Sequence, residues 1–205
     1  MATNVLAAQG LLYSRNKLGA TGNAQENLFY IRNGYTASNI ALGDLVKTGT
    51  STNQGYIIPS ALNDTSGLGV FAGVLPYYDK TFQQTVHGLN GSFQTSANPA
   101  ADIPCLVIND MFAIFRIQAT GGPYTVSMRG QNCNWLTGTN AAPNAAGIST
   151  LTLDLGSVAT TNTLPLRIEG VSGVPGGPQD PANTNPLIDV SFNPNWIEGL
   201  LGTGI

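Results

Sequence analysis

The chain has 205 residues, room for one large domain or two small ones, and its 42% hydrophobic content argues against disorder. Only 9% of residues are charged, where about 25% is usual, and the net charge of −3 comes with no run of Lys or Arg. That excludes an electrostatic footprint for nucleic acid, and no apolar stretch approaches the ~18 residues of a membrane-spanning helix. Gly, Asn and Thr fill 66 of the 205 positions, a composition that favours turns and strands over long helices.

Residues 1–28 mix apolar pairs such as Val5-Leu6 and Leu11-Leu12 with Gly10, Gly19 and Gly22. No helical period lasts beyond two turns, so the segment reads as an extended arm with one short helix, and it lacks the pattern of a secretory signal. A single β domain is expected from Phe29 to Asn193. It opens with "FYIR" and the hairpin signal Asn33-Gly34, followed by "YTASNIALGDLVK". The short segments "GYIIPSAL", "GVFAGVLPYY", "TFQQTVHGL" and "GSFQTS" come next, separated by Gly, Pro or Asn. Such spacing predicts a barrel or a sandwich.

The densest apolar stretch, "LVINDMFAIFRIQA" at 106–119, lies between Pro104 and Gly121-Gly122-Pro123 and reads as one central strand, apolar on both faces. "YTVSM" and "STLTLDLGSVA" alternate as half-buried strands, with Leu151, Leu153 and Leu155 on one side and Thr150, Thr152 and Asp154 on the other. "TGTNAAPNAAG" and the Gly/Pro-rich stretch 170–186 read as long loops, and "LIDVSF" as the last strand. Residues 194–205 form an apolar tail containing Trp196, Ile197, Leu200 and Leu201.

Residues able to do chemistry are sparse. The single histidine, His87, stands beside a Gly turn, and no serine sits in a GxSxG elbow. Cys105 and Cys133 are 28 positions apart without a CxxC or HxxxH pattern, so they are expected as free buried thiols and not as a zinc site. "GVSGVPGG" is not followed by Lys-Ser/Thr and reads as loop, not as a phosphate cradle. Asp102 and Asp110 flank the central strand and are the one carboxylate pair that could converge as a hydrolytic pair does. The aromatic set Phe29, Tyr30, Tyr35, Tyr77, Tyr78, Trp135 and Trp196 suits core and interface anchoring better than a sugar platform, for which Tyr77, Tyr78 and Trp135 would be the stacking candidates. No catalytic, metal or cofactor-binding residues are assigned.

In texture and order, residues 36–193 resemble a family of small β proteins encoded beside the major capsid protein of tailed bacteriophages, which decorate or cement the assembled head. The likeness is carried by "IALGDLVKTG", "GVFAGVL", "IPCLVINDMFAIFRIQA", "LPLRIEGV" and "PLIDVSFNPN". It implies an all-β, barrel-like or jelly-roll-like subunit without enzymatic activity or cofactor, made in the host cytoplasm and placed on the outer surface of the capsid. Its partners would be the major capsid protein and sister copies in a homotrimer or dimer, with no nucleic acid and no membrane. Contacts are expected through the arm (Leu11, Leu12, Tyr13), through Phe29 and Tyr30, and through the tail (Trp196, Ile197, Leu200, Leu201), whose apolar groups otherwise lack an evident partner. A tail-tube or head-completion subunit, or a carbohydrate-binding virion appendage, are the alternatives.

Overall fold

The computed structural model describes residues 8–18, 24–62, 64–88, 91–136, 144, 146–173 and 180–197. Among them the chain is all-β, as expected. In chain order the strands are β1 (Leu12–Asn16), β2 (Glu26–Ile31), β3 (Leu45–Thr48), β4 (Ile57–Pro59), β5 (Gly69–Val74), β6 (Tyr77–Asp79) and β7 (Gln84–Val86). They continue with β8 (Ile103–Ile108), β9 (Ala113–Thr120), β10 (Asn132–Leu136), β11 (Thr152–Ala159), β12 (Leu166–Val171) and β13 (Leu187–Phe192).

Two sheets carry the fold. One is an antiparallel run in the order β2-β8-β5-β3-β4, and the hairpin β6–β7 stands apart from it. The other closes on itself: β9 pairs with β11, β11 with β10, β10 with β12, β12 with β13, and β13 returns to β9. This five-stranded barrel has one parallel pair, β9 with β11, and is otherwise antiparallel. Closure removes the free edges that an open sheet would expose. β9 can serve three partners because it is long: β13 takes one edge over residues 115–118, while β1 takes residues 113–116 and β11 residues 119–120 on the other.

The stretch 106–119 is therefore not one strand. Its first part ends β8 in the open sheet, its last part is β9 of the barrel, and the chain crosses between the sheets at Asn109–Phe112. Asp110 shapes the crossing: its carboxylate accepts the Phe112 N–H at 2.8 Å and the Asn16 side-chain N–H at 2.8 Å, and its carbonyl accepts the Ala113 N–H at 3.1 Å. The two-faced apolarity has two sources. Val107, Cys105 and Ile103 fill the core of the open sheet, whereas Phe115, Ile117 and Ala119 fill that of the barrel. Ile114, on the other side of β9 and opposite Arg15 of β1, is buried as well.

Three local expectations need correction. "YTVSM" alternates like a strand but finds no ladder; Val126–Met128 is a 3-10 turn with Val126 in solvent. Asn33-Gly34 makes a turn, with Gly34 at φ +79°, but not a hairpin, because β2 pairs with β8, seventy-odd residues on. Residues 8–18 of the arm contain strand β1 and no helix.

Both chain ends also lie inside the domain where they are described, so the boundaries expected at 28/29 and 193/194 separate nothing there. Leu11 is buried and its N–H donates to the Gly43 carbonyl at 3.0 Å, while β1 is a strand of the barrel sheet. Trp196 is buried between Phe192, stacked at 6.2 Å between centroids, and Trp135, edge-on at 5.8 Å. Its carbonyl accepts the Gly67 N–H at 2.8 Å, and its indole N–H donates to the Asp64 carbonyl at 3.2 Å. A tryptophan so enclosed removes on the order of 150–250 Å² from water, about 4–6 kcal/mol before ordering costs.

Gly67 lets this happen, since a Cβ there would collide with the Trp196 ring. Gly67→Ala is expected to cost about 1–3 kcal/mol by overpacking, and Trp196→Ala about 3–5 kcal/mol by cavity formation. Urea unfolding followed by Trp fluorescence and circular dichroism checks both; a Gly67→Ala midpoint equal to wild type would show that the indole has room to move.

Candidate functional site

The residues able to do chemistry are spread out, and most are engaged in holding the chain to itself. Asp102 and Asp110 stand at opposite ends of β8, roughly 26 Å apart at ~3.3 Å per residue. That is far beyond the separation of a hydrolytic carboxylate pair. Asp102 braces the open sheet instead: it accepts the Asn33 N–H at 2.8 Å and the Tyr56 hydroxyl at 2.9 Å, and that second bond is the main cause that raises the Tyr56 pKa. With Tyr30, Gln54 and Gly55 these groups border an open groove of about 520 Å³.

Among the described residues, Lys17, Ser191 and Glu169 form a constellation that looks nucleophilic. The Lys17 ammonium donates to Ser191 Oγ at 2.8 Å and is paired with Glu169, to which Ser191 Oγ donates at 2.6 Å. Burial raises the Glu169 pKa, but hydrogen bonds from Lys17 and Ser191 outweigh it and leave the carboxyl below its ordinary value. Ser191 is wholly buried, with no approach for a substrate, and its hydroxyl is taken up between Lys17 and Glu169. The group ties β1 to β12 and β13. Arg15 does likewise, donating to the buried Asp189 at 2.6 Å, with Arg116 lying 3.7 Å from the other carboxylate oxygen.

The remaining candidates stay apart. His87 is exposed, Cys105 lies in the core of the open sheet and Cys133 in that of the barrel. Burial pushes the Cys105 thiol up to about 12 and also raises Cys133, so both are inert as nucleophiles at neutral pH. No group of three or more His, Cys, Asp or Glu side chains capable of holding a metal gathers among the described residues. Trp135 and Tyr77 are buried while Tyr78 is exposed, so they form no stacking platform. Asp79 caps the β6–β7 hairpin: the Asn98, Thr81 and Phe82 N–H groups donate to it and hold its carboxyl below the ordinary range.

No family model, curated protein or solved structure matches the chain.

The expected interface residues divide. Leu11, Trp196 and Ile197 are core residues of their own chain, which corrects their assignment as exposed anchors: each found its partner in a segment far away in sequence. Tyr13 is half-buried, edge-on to Phe115 at 6.4 Å, and Phe29 points into the core of the open sheet. Leu12 and Tyr30 are exposed, and Leu200 and Leu201 lie outside the described residues. Other exposed apolar side chains had not been singled out: Leu28 on β2, Leu18 after β1, Phe82 at the tip of the β6–β7 hairpin, and Val126. Leu28 was legible, because it shares its alternation with Tyr30; the other three depend on turns that sequence did not fix.

Asp44 marks the junction of arm and sheets. Its carboxylate accepts the Ala41 N–H at 2.7 Å and is bonded by the Ser149 side chain, close to where Gly10 packs on Ser149. Burial outweighs both bonds and raises its pKa from 3.8 to about 6. The folded chain therefore holds this proton more tightly than the unfolded one. The stability it contributes is fully present below about pH 4 and is lost as the pH rises through about 6. Asp44→Asn should flatten the fall in the wild-type urea midpoint between about pH 5 and 7. Equal slopes for the two proteins would mean that Asp44 keeps its charge on folding.

Proposed function

We propose that this chain is a structural virion protein that binds the outside of an assembled phage capsid and stabilises it through contacts with the shell and with sister subunits. One observation carries the reading. Much of the chain's polar chemistry goes to internal bracing, while what it offers to solvent includes large apolar side chains at turns: Leu18 at 71%, Phe82 at 66% and Val126 at 81% exposure. Such groups suit burial against another protein surface. The likeness of residues 36–193 to decoration and cement proteins points the same way.

The shell contacts then belong to these turns in place of the buried Leu11, Trp196 and Ile197. Phe82 is presented on a hairpin whose turn is fixed by Asp79, so little ordering is needed on docking. Each contact is modest. On a symmetric lattice, oligomeric subunits gain attachment by avidity, because a second site lands at high effective concentration once the first has bound. A barrel with closed edges and little charge also resists stray strand pairing and depends weakly on salt.

Quantitative mass spectrometry of purified particles tests the reading. Hundreds of copies per particle are expected for a shell protein; about six to twelve would reassign the chain to a closed ring at the portal or tail, and its absence from particles would reject a virion role. In the same experiment Phe82→Asp should lower the copy number at least about tenfold if the hairpin is a contact anchor. Undiminished incorporation would exclude Phe82 from the interface.

A further inference from the structure

Strand β2 carries a row of side chains that is complementary to itself when reversed. Residues alternate across a strand, so Glu26, Leu28 and Tyr30 point to one side, Arg32 continues the row one residue past the end of β2, and all four are exposed. Asn27, Phe29 and Ile31 point to the other, where Phe29 and Ile31 join the core. Read along the strand, the outward row runs acid, apolar, apolar, base. Neither Glu26 nor Arg32 belongs to any of the ion pairs among the described residues. The row is broadened by the neighbouring strand, whose Leu106 lies opposite Leu28 and Pro104 opposite Tyr30, both half-buried.

Two further features set β2 apart. It ends its sheet, and its six residue pairs with β8 run without a register shift. It has no proline, lysine or bulge, the devices by which exposed edge strands usually keep other chains away. Between its two charges this outward row keeps Leu28 and Tyr30 in solvent, which suits burial against another protein surface.

We infer that the outward face of β2 packs antiparallel against β2 of a second copy of this chain, about a two-fold axis passing level with Phe29. Reversal places Glu26 beside Arg32 of the other copy and Leu28 beside its Tyr30, and the symmetry makes each pairing twice. A parallel arrangement would oppose like charges, and an unrelated partner would need its own matching base and acid at the same spacing. A second copy supplies that match from this row alone, by the rule that a two-fold interface is one patch meeting itself. The Leu28 and Tyr30 contacts supply buried apolar area, and the charge pairs at the rim set direction and register. This inference concerns the isolated protein and stands apart from the shell reading, which rests on turns elsewhere in the chain.

A charge-swap cycle on the full chain tests it, read by sedimentation equilibrium at low and high salt. Wild type is expected to be dimeric at about 100 µM. Glu26→Arg and Arg32→Glu each put like charges together at two symmetric places and should each weaken association by about tenfold or more at low salt. The double variant, E26R with R32E, restores complementarity and should return the dimer to near wild-type strength. Leu28→Asp should give a monomer. All four positions are exposed, and unchanged circular dichroism and urea midpoints would establish that every variant is folded. A monomeric wild type would overturn the inference and leave the face to a different protein. A dimer indifferent to both single reversals would overturn its location, and a double variant that stays dissociated would overturn the antiparallel register.

Discussion

The return of β13 to β9 is the pairing on which the rest of the molecule depends. A five-stranded sheet left open would expose two edges and spill its core, whereas closure makes β9 a wall shared by β13, β1 and β11. Once β9 is fixed, its interior residues Phe115, Ile117 and Ala119 define a lumen that Phe192, Leu153 and Leu166 fill from other strands. The crossing at Asn109–Phe112 then sets the open sheet relative to the barrel, because β8 and β9 are separated only by that turn. Two cores result, and β5 and β3 contribute to both: Val70 and Leu45 face the barrel, and Phe71 and Val46 face the open sheet.

The chain ends serve the same closure. β1 covers the half of the β9 edge that β11 leaves bare, and Arg15 and Lys17 reach Asp189, Glu169 and Ser191 on the strands beyond. Trp196 plugs the contact between the 64–68 segment and the aromatic chain running from Phe115 through Phe192. In a chain with so few charges, four of the eight basic residues (Arg15, Lys17, Lys47 and Arg116) stand within 4 Å of an acid. For these four residues electrostatics acts as internal fastening.

Local order was legible in the sequence and long-range order was not. The alternation of Leu151, Leu153 and Leu155 marked a half-buried strand because strand periodicity is a property of the local chain, and "LIDVSF" was read as β13 on similar grounds. The Asn109-Asp110 pair was read through as part of one strand over 106–119. In fact the Asp110 carboxylate caps a turn, with its second bond coming from Asn16, 94 positions away. "YTVSM" failed for the converse reason: its pattern suits a strand, but Arg129–Gln131 turn back toward Ile168 and no ladder reaches it. Arm and tail were judged partnerless because nothing nearby in sequence could cover Leu11 or Trp196. Their actual partners, Gly43 for one and the Asp64–Gly67 segment for the other, could be named only from the fold.

The same asymmetry applies to function. Chemistry would have required acids, bases and nucleophiles to converge from distant positions, and the fold instead sends Asp102 and Asp110 to opposite ends of one strand and encloses Ser191. Contact surfaces ask for less, since one strand can carry a whole recognition pattern in residues two apart. β2 and the residue after it hold acid, leucine, tyrosine and base in one alternating row within seven residues, so that row owes nothing to long-range assembly beyond the pairing of β2 with β8. A pattern encoded so locally needs no distant segment to complete it, which is what the proposed pairing of two copies asks of this face.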